Sequence, residues 1–257
     1  MPLLLVEPAV YLAKSSGCII GVGTMKDSKA AKPLSSSTGD YLKAIWELTE
    51  SSAASTTEIA ARLSVSSASV TNMLKRLQEM GLVEYERYHG ASLTGAGRRE
   101  ALRLVRRHRL IETFLMEHLG YSWQDVHEEA ERLEHAVSDE FTERLTELLG
   151  HPERDPHGDP IPAVDGTLIS ESSRPLIEVE AGRRVRIVKV NDESASVLNH
   201  LGDRGLIPGR TIGVKEVRAV DGVVTVEDEG GEEHPLGESL TRAIFVEDTS
   251  EAVSGPA

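Results

Sequence analysis

Residues 55–94, STTEIAARLSVSSASVTNMLKRLQEMGLVEYERYHGASLT, decide the fold. Ser55-Thr56-Thr57-Glu58 has capping-box spacing, in which a hydroxyl and a carboxylate three residues apart satisfy each other's backbone N–H groups. Ile59, Ala60 and Leu63 follow at helical spacing, so a short helix ends near Leu63. Ser66-Ser67 caps a second helix whose buried face is Val70, Leu74 and Leu77, and Gly81 stops it. Leu82–Glu86 and Ala91–Thr94 then read as two strands around His89-Gly90, a small hairpin or wing. Helix, turn, helix and wing together predict a winged helix-turn-helix.

Upstream, Tyr41, Leu42, Ile45, Trp46 and Leu48 recur at helical spacing behind the cap candidates Ser37 and Thr38. Downstream, two long helices are expected over 95–118 and 123–149, the second stopped by Gly150. A Pro/Gly/Asp-rich connector covers 151–175. Beyond it, residues 183–190 alternate as a strand, a short helix runs from Ser194 to Leu201, and strands fall near 211–218, 222–228 and 242–246. The fold class is therefore mainly α with a small β-barrel. Its units are the winged helix-turn-helix (36–100), a helical region (101–150), the linker (151–175) and the small barrel (176–248). Residues 1–35 and 249–257 are expected to be a disordered or artefactual extension and a disordered tail, with Met25 an alternative start.

The chain has 257 residues and a net charge of −14, which excludes coating of nucleic acid by bulk electrostatics. Charge is nevertheless uneven: residues 55–110 hold ten basic and five acidic side chains, a local net of +5. Phosphate binding needs such a surface, although a solvated helix face has the same composition. One cysteine, Cys18, excludes an internal disulfide framework and a Cys-based zinc finger, and suits the cytoplasm. No apolar run reaches the ~20 residues of a membrane span, and the first residues lack a signal-peptide pattern.

Ser66, Ser67, Ser69 and Thr71 place small hydroxyls at a helix N-terminus, where backbone N–H groups and phosphate oxygens meet well. Ala68 and Asn72 lie one turn apart on the exposed face. Asparagine can pair bidentately with adenine, and alanine can contact a thymine methyl. Farther along, His127, Glu131, Glu134 and His135 fall at i, i+4, i+7 and i+8, one stripe of a continuous helix. His108 and Glu112 form an i, i+4 pair on the preceding helix. Imidazole and carboxylate without thiolate favour borderline-to-hard divalent ions, but the same spacing also suits a salt-bridged solvated face. Val137, Phe141, Leu145 and Leu148 form the apolar face expected at a dimer contact, or a plain intrachain core.

The segments DYLKAIWELTE (40–50), the serine-rich helix, RRHRLIETFL (106–115), HEEAERLEHAVSDE (127–140) and DPHGDPIP (155–162), in this order, resemble the diphtheria toxin repressor family of metal-dependent regulators. The resemblance covers about residues 37–247, is nearest to the manganese transport regulator branch in its actinobacterial three-domain form, and includes a C-terminal SH3-like (FeoA-like) domain. It implies a primary metal site of Asp40, Glu131, Glu134 and His135. It also implies an ancillary site of His108, Glu112 and His127, with a carboxylate near Asp192 from the third domain. Iron-type members place methionine at the Asp40 position and cysteine at the Glu131 position; oxygen donors here point to Mn(II), with Fe(II) as the alternative. Compact manganese regulators often carry a glutamate where this chain has Lys43, which favours the three-domain arrangement.

The function implied is repression of metal uptake genes by a homodimer on palindromic double-stranded operator DNA. A metallohydrolase would need an open metal position with a general base, and no HExxH, nucleophile elbow or phosphate-binding glycine loop is present. A metal-independent winged-helix regulator would keep the DNA half while leaving Glu131 and His135 replaceable.

Overall fold

A computed structural model describes residues 34–49, 53–170, 172–191, 194–218, 220 and 222–249. The expected N-terminal extension lies almost wholly outside these residues, as do most of the expected tail and Asp192.

The N-terminal unit is built as its caps dictate. Helix α1 (Ser36–Leu48) is capped by Ser35, whose side chain accepts from Thr38 N, two residues before the first expected cap. Helix α2 (Thr56–Arg62) has the full capping box: Glu58 N donates to Ser55 Oγ at 3.2 Å and Ser55 N to Glu58 Oε2 at 2.8 Å. Helix α3 (Ser67–Glu79) is capped by Ser66. Strands β1 (Val83–Glu86) and β2 (Gly90–Leu93) pair antiparallel as the wing, and Ala54 bridges to Ala91. Leu42, Ile45, Ile59, Val70, Leu74 and Leu77 are fully buried together beneath them.

Helix α4 (Gly95–Leu119) leaves this unit and becomes the spine of the next, ending at Gly120 in the left-handed region. The second long helix expected over 123–149 is instead two, α5 (Val126–Leu133) and α6 (Asp139–Leu148). Ser138 caps α6, accepting from Phe141 N at 3.2 Å, and the acidic Asp139 and Glu140 suit the positive end of its dipole. Leu110, Ile111, Leu115, Val126, Ala130, Leu145 and Ile161 form the core here. Half of the expected dimer face is thus intrachain, since Leu145 is buried and Val137 packs on this core, while Phe141 and Leu148 stay exposed.

The C-terminal unit corrects the expected barrel. Strands β3 (Arg174–Pro175), β4 (Arg184–Val190), β5 (Thr211–Arg218), β6 (Val223–Glu227), β7 (Glu233–Leu236) and β8 (Ile244–Asp248) form one open sheet in the order β3-β8-β4-β5-β6-β7. Closure would require β3 to pair with β7. The first has only two residues, and Pro175 and Pro235 each remove a ladder donor from an edge. Helices α7 (Ala195–Gly202) and α8 (Glu238–Ala243) cover the core of Leu176, Ile187, Leu198, Leu201, Val226 and Val246. Among the described residues, no helix is long and apolar enough to cross a membrane.

Candidate metal centre

Three elements bring the first group of candidate ligands together. Asp40 and Lys43, one turn apart on α1, face α4 and the α5–α6 turn. Gly39 permits the approach: a Cβ there would stand 2.7 Å from Leu104 Cδ1 and 3.1 Å from His135 Cε1. His135 Nε2 lies 2.7 Å from Asp40 Oδ1 and 3.5 Å from Glu134 Oε1. Ligand atoms of Asp40, Glu134 and His135 all fall within 4.8 Å of one another. Because α5 ends at Leu133, Glu134 and His135 belong to the turn and the expected continuous stripe is broken. Asp40 raises the His135 pKa through their hydrogen bond, partly offset by burial.

The second group sits behind Glu134. His108 Nδ1 lies 2.6 Å from Glu134 Oε2, and its Nε2 lies 2.9 Å from Glu112 Oε1. His127 Nδ1 is 3.2 Å from the same Glu112 oxygen. Burial opposes charge on His108 and Lys43 adds to that opposition, but the Glu112 and Glu134 carboxylates together lift the pKa to about 9. With both nitrogens protonated, the ring can donate to Glu134 and to Glu112 at once.

Glu131 stands apart from the Asp40 trio and groups with His108 and His127. It is ion-paired to Lys43, whose Nζ also donates to Glu134 Oε2 at 3.1 Å and lies 3.3 Å from His108 Nδ1. Burial lowers the Lys43 pKa, yet Glu134 and Glu131 together raise it above the ordinary value. A fixed cation therefore lies between the two ligand groups, surrounded by the groups that a metal would use.

A third group was missed in the sequence. Glu112, Asp155 and His157 are all buried and within 4.8 Å by their ligand atoms. The Asp155 carboxyl is held well above its usual range by burial and by Asp159 and Glu112. Only the D-P-H-G-D run inside the connector announced it. The connector packs because the third unit closes over it: Val190 N donates to His157 O at 2.8 Å and Lys189 Nζ lies 2.8 Å from Asp159 Oδ1. Trp123 Nε1 reaches Pro156 O at 3.0 Å, and Gly158, at φ 91°, has the Val188 carbonyl where a Cβ would be. A cavity of about 660 Å³ opens beside this region, with Lys43, His108, Glu112, Asp155, Lys189 and Asn191 in its wall.

These residues fit a divalent cation. Glu134 Oε1 and Glu112 Oε2 are buried carboxylate oxygens without a hydrogen-bond partner among the described residues, one in each ligand group. Such an oxygen is costly to bury unless a cation or donor satisfies it.

On α3, Ser66, Ser67, Ala68, Ser69 and Asn72 are exposed and Thr71 is half-buried. Ser66 and Ser69 hydroxyls bond each other at 2.9 Å, and Thr71 Oγ1 donates to Ser67 O. The face thus keeps Ala68 and Asn72 outward, with Lys75 and Arg76 one turn farther on.

Comparison with known proteins agrees along almost the whole described chain. Residues 33–91 match the iron dependent repressor N-terminal DNA binding domain, 94–163 its metal binding and dimerisation domain, and 174–248 the FeoA domain. The diphtheria toxin repressor of Corynebacterium diphtheriae is 32% identical over 228 residues, covering 84% of this chain and 99% of that protein. The iron-dependent repressor IdeR of Mycobacterium leprae is 29% identical over 221 residues, 80% of this chain and 95% of its own. Among solved structures, a manganese-dependent transcriptional repressor in complex with manganese superposes with a TM-score of 0.77 at 38% identity, covering 82% of this chain and all of that one. ScaR with bound Zn2+ gives 0.71 at 36% identity, covering 82% and 99%. With the reading head, the helical unit and the FeoA sheet all matched, the chain belongs to the diphtheria toxin repressor family of metal-dependent transcriptional repressors.

Proposed function

We propose that this chain is a Mn(II)-activated repressor that binds palindromic operator DNA as a homodimer and controls metal uptake genes. The observation that carries the reading is the Asp40–His135 contact beside Glu134 Oε1, a buried oxygen with no hydrogen-bond partner among the described residues. It joins the DNA-reading unit to the helical unit through hard oxygen and imidazole donors. Asp40, Glu134 and His135 would hold the primary ion, with Glu131 turning from Lys43 to complete the set. His108, Glu112 and His127 would hold a second, supported by the buried Asp155 and His157 beside them. A bound divalent ion supplies one positive centre that carboxylates and imidazoles from both units can share.

That shared centre would fix α1, and with it α3, relative to the unit that dimerises. Two recognition helices must stand about 34 Å apart, or a multiple, to enter successive major grooves. Without the shared ligands the reading heads sample other separations, which lowers the fraction able to bind. Ser66, Ser67, Ser69 and Thr71 would meet phosphates, and Ala68 and Asn72 the base edges. Exposed Phe141 and Leu148 on α6 supply an apolar patch for the second subunit.

Preference for Mn(II) over Fe(II) rests on oxygen donors at Asp40, Glu131 and Glu134 with no sulfur among them. It is tested by titrating duplex binding with Mn(II), Fe(II) and Zn(II) under reducing conditions, using a duplex selected from a random-sequence pool. Activation at the lowest free concentration by Mn(II) is expected; equal activation by Fe(II) would refute the preference.

A further inference from the structure

The ligands Glu134 and His135 lie in a turn, and a turn does not hold side chains as a helix does. Glu134 is the C-cap that follows α5, so its carbonyl lacks the amide partner that one more helical turn would provide. Arg107 on α4 takes that place, with Nη1 donating to Glu134 O at 2.9 Å. The same guanidinium donates through Nη2 to Asp139 Oδ1 at 2.8 Å, at the first position of α6. Arg107 is buried, whereas the Asp139 side chain is 59% exposed. One guanidinium thus spans both ends of the ligand turn. On the other side of the same turn, the adjacent His108 holds the Glu134 carboxylate. Arg103, one helical turn before Arg107, also grips Asp139, its Nε lying 2.7 Å from Oδ1.

We propose that Arg107 and Asp139 are positioning residues for the primary metal centre, acting through the main chain of Glu134 rather than by touching an ion. The inference rests on the assignment of Glu134 and His135 as ligands. Residues that orient metal ligands from behind typically contribute about 10–100-fold to affinity. Ordinary helix capping would give a small stability effect and no loss of metal binding. The guanidinium does more, because one planar group holds the Glu134 carbonyl with one nitrogen and the Asp139 carboxylate with the other, and bonds from a charged donor are the stronger kind. Through Asp139 the clamp also reaches α6, the element that carries Phe141 and Leu148.

The test uses the full chain stripped of metal and titrated with Mn(II), free ion being read by electron paramagnetic resonance. Arg107→Met and Asp139→Ala are compared with the parent and with Arg103→Met, while circular dichroism melts check folding. Asp139→Ala changes a surface side chain, so it keeps the question answerable even where Arg107→Met fails to fold. Weakening of Mn(II) binding by roughly tenfold in Asp139→Ala, with Arg103→Met near the parent, is expected. A parent that binds Mn(II) with an unchanged Asp139→Ala would overturn the positioning role alone. Equal losses in Arg103→Met and Asp139→Ala would overturn the route through the Glu134 carbonyl. A parent that takes up no Mn(II), Fe(II) or Zn(II) would instead overturn the ligand assignment beneath it.

Discussion

Asp40 and His135 are separated by 95 residues in the chain, yet their side chains meet at 2.7 Å. The first belongs to the helix that opens the DNA-reading unit and the second to a turn between helices of the next unit. With the Lys43 contacts to Glu131 and Glu134, this contact ties α1 directly to the helical unit. A metal held by these residues, as proposed, would make the sensor a joint between units rather than a remote switch.

Lys43 neutralises Glu131 and the fully buried Glu134. Its replacement by methionine leaves the buried Glu134 with His108 but one cation fewer, at a cost of roughly 3 kcal/mol. Thermal unfolding of Lys43→Met in chelator is expected to show that loss, and saturating Mn(II) to reduce it, because the ion restores positive charge. An equal loss with and without Mn(II) would show that the lysine and the ion do not share these carboxylates.

His108 has a folded pKa of about 9 against an ordinary 6.5. A raised folded value stabilises the chain fully below the unfolded value, and the contribution disappears as pH rises through the folded one. Metal-free protein should therefore lose stability to urea between about pH 6.5 and 9, and His108→Gln should flatten that slope. Over the same window Mn(II) should bind more tightly with rising pH and release protons, since ligating imidazole is neutral. A parent slope matched by His108→Gln would place the titration elsewhere.

Asn72 is exposed on α3, which contributes no residue to the ligand groups. Asn72→Ala should weaken duplex binding by about 1–3 kcal/mol while Mn(II) affinity stays at the parent value. Loss of both together would mean that the substitution damages the fold.

Phe141 and Leu148 remain 44% and 59% exposed on α6. Replacing both by aspartate should shift the sedimentation of the Mn(II)-loaded chain from dimer to monomer with little change in melting temperature. A dimer that survives would move the interface to another face.

The reading head was legible because its signals are local. The Ser55–Glu58 box, the Ser66 cap and the buried stripe Val70, Leu74 and Leu77 act within one or two turns. The break at Glu134 was not, because Val137, Phe141, Leu145 and Leu148 keep a helical period across the turn. Ser138 followed by Asp139 and Glu140 was the available stop-and-restart signal. Alternation in 183–190 and 211–218 identified strands but not closure, which depends on edge partners that periodicity does not encode. Asp155 and His157 were hidden for a tertiary reason. Their burial arises when Val190 and Lys189 of the FeoA sheet dock on a segment whose composition reads as loop.

Whether a shared ion joins α1 to the α5–α6 turn and so enables DNA reading is decided by duplex binding of the parent and of Glu134→Gln, each with Mn(II) and with chelator. Chelator is expected to weaken the parent by at least about tenfold, the scale on which metal-site interactions act, and Glu134→Gln to bind weakly in both conditions. Parent binding that is the same with Mn(II) and with chelator would contradict that role of the ion.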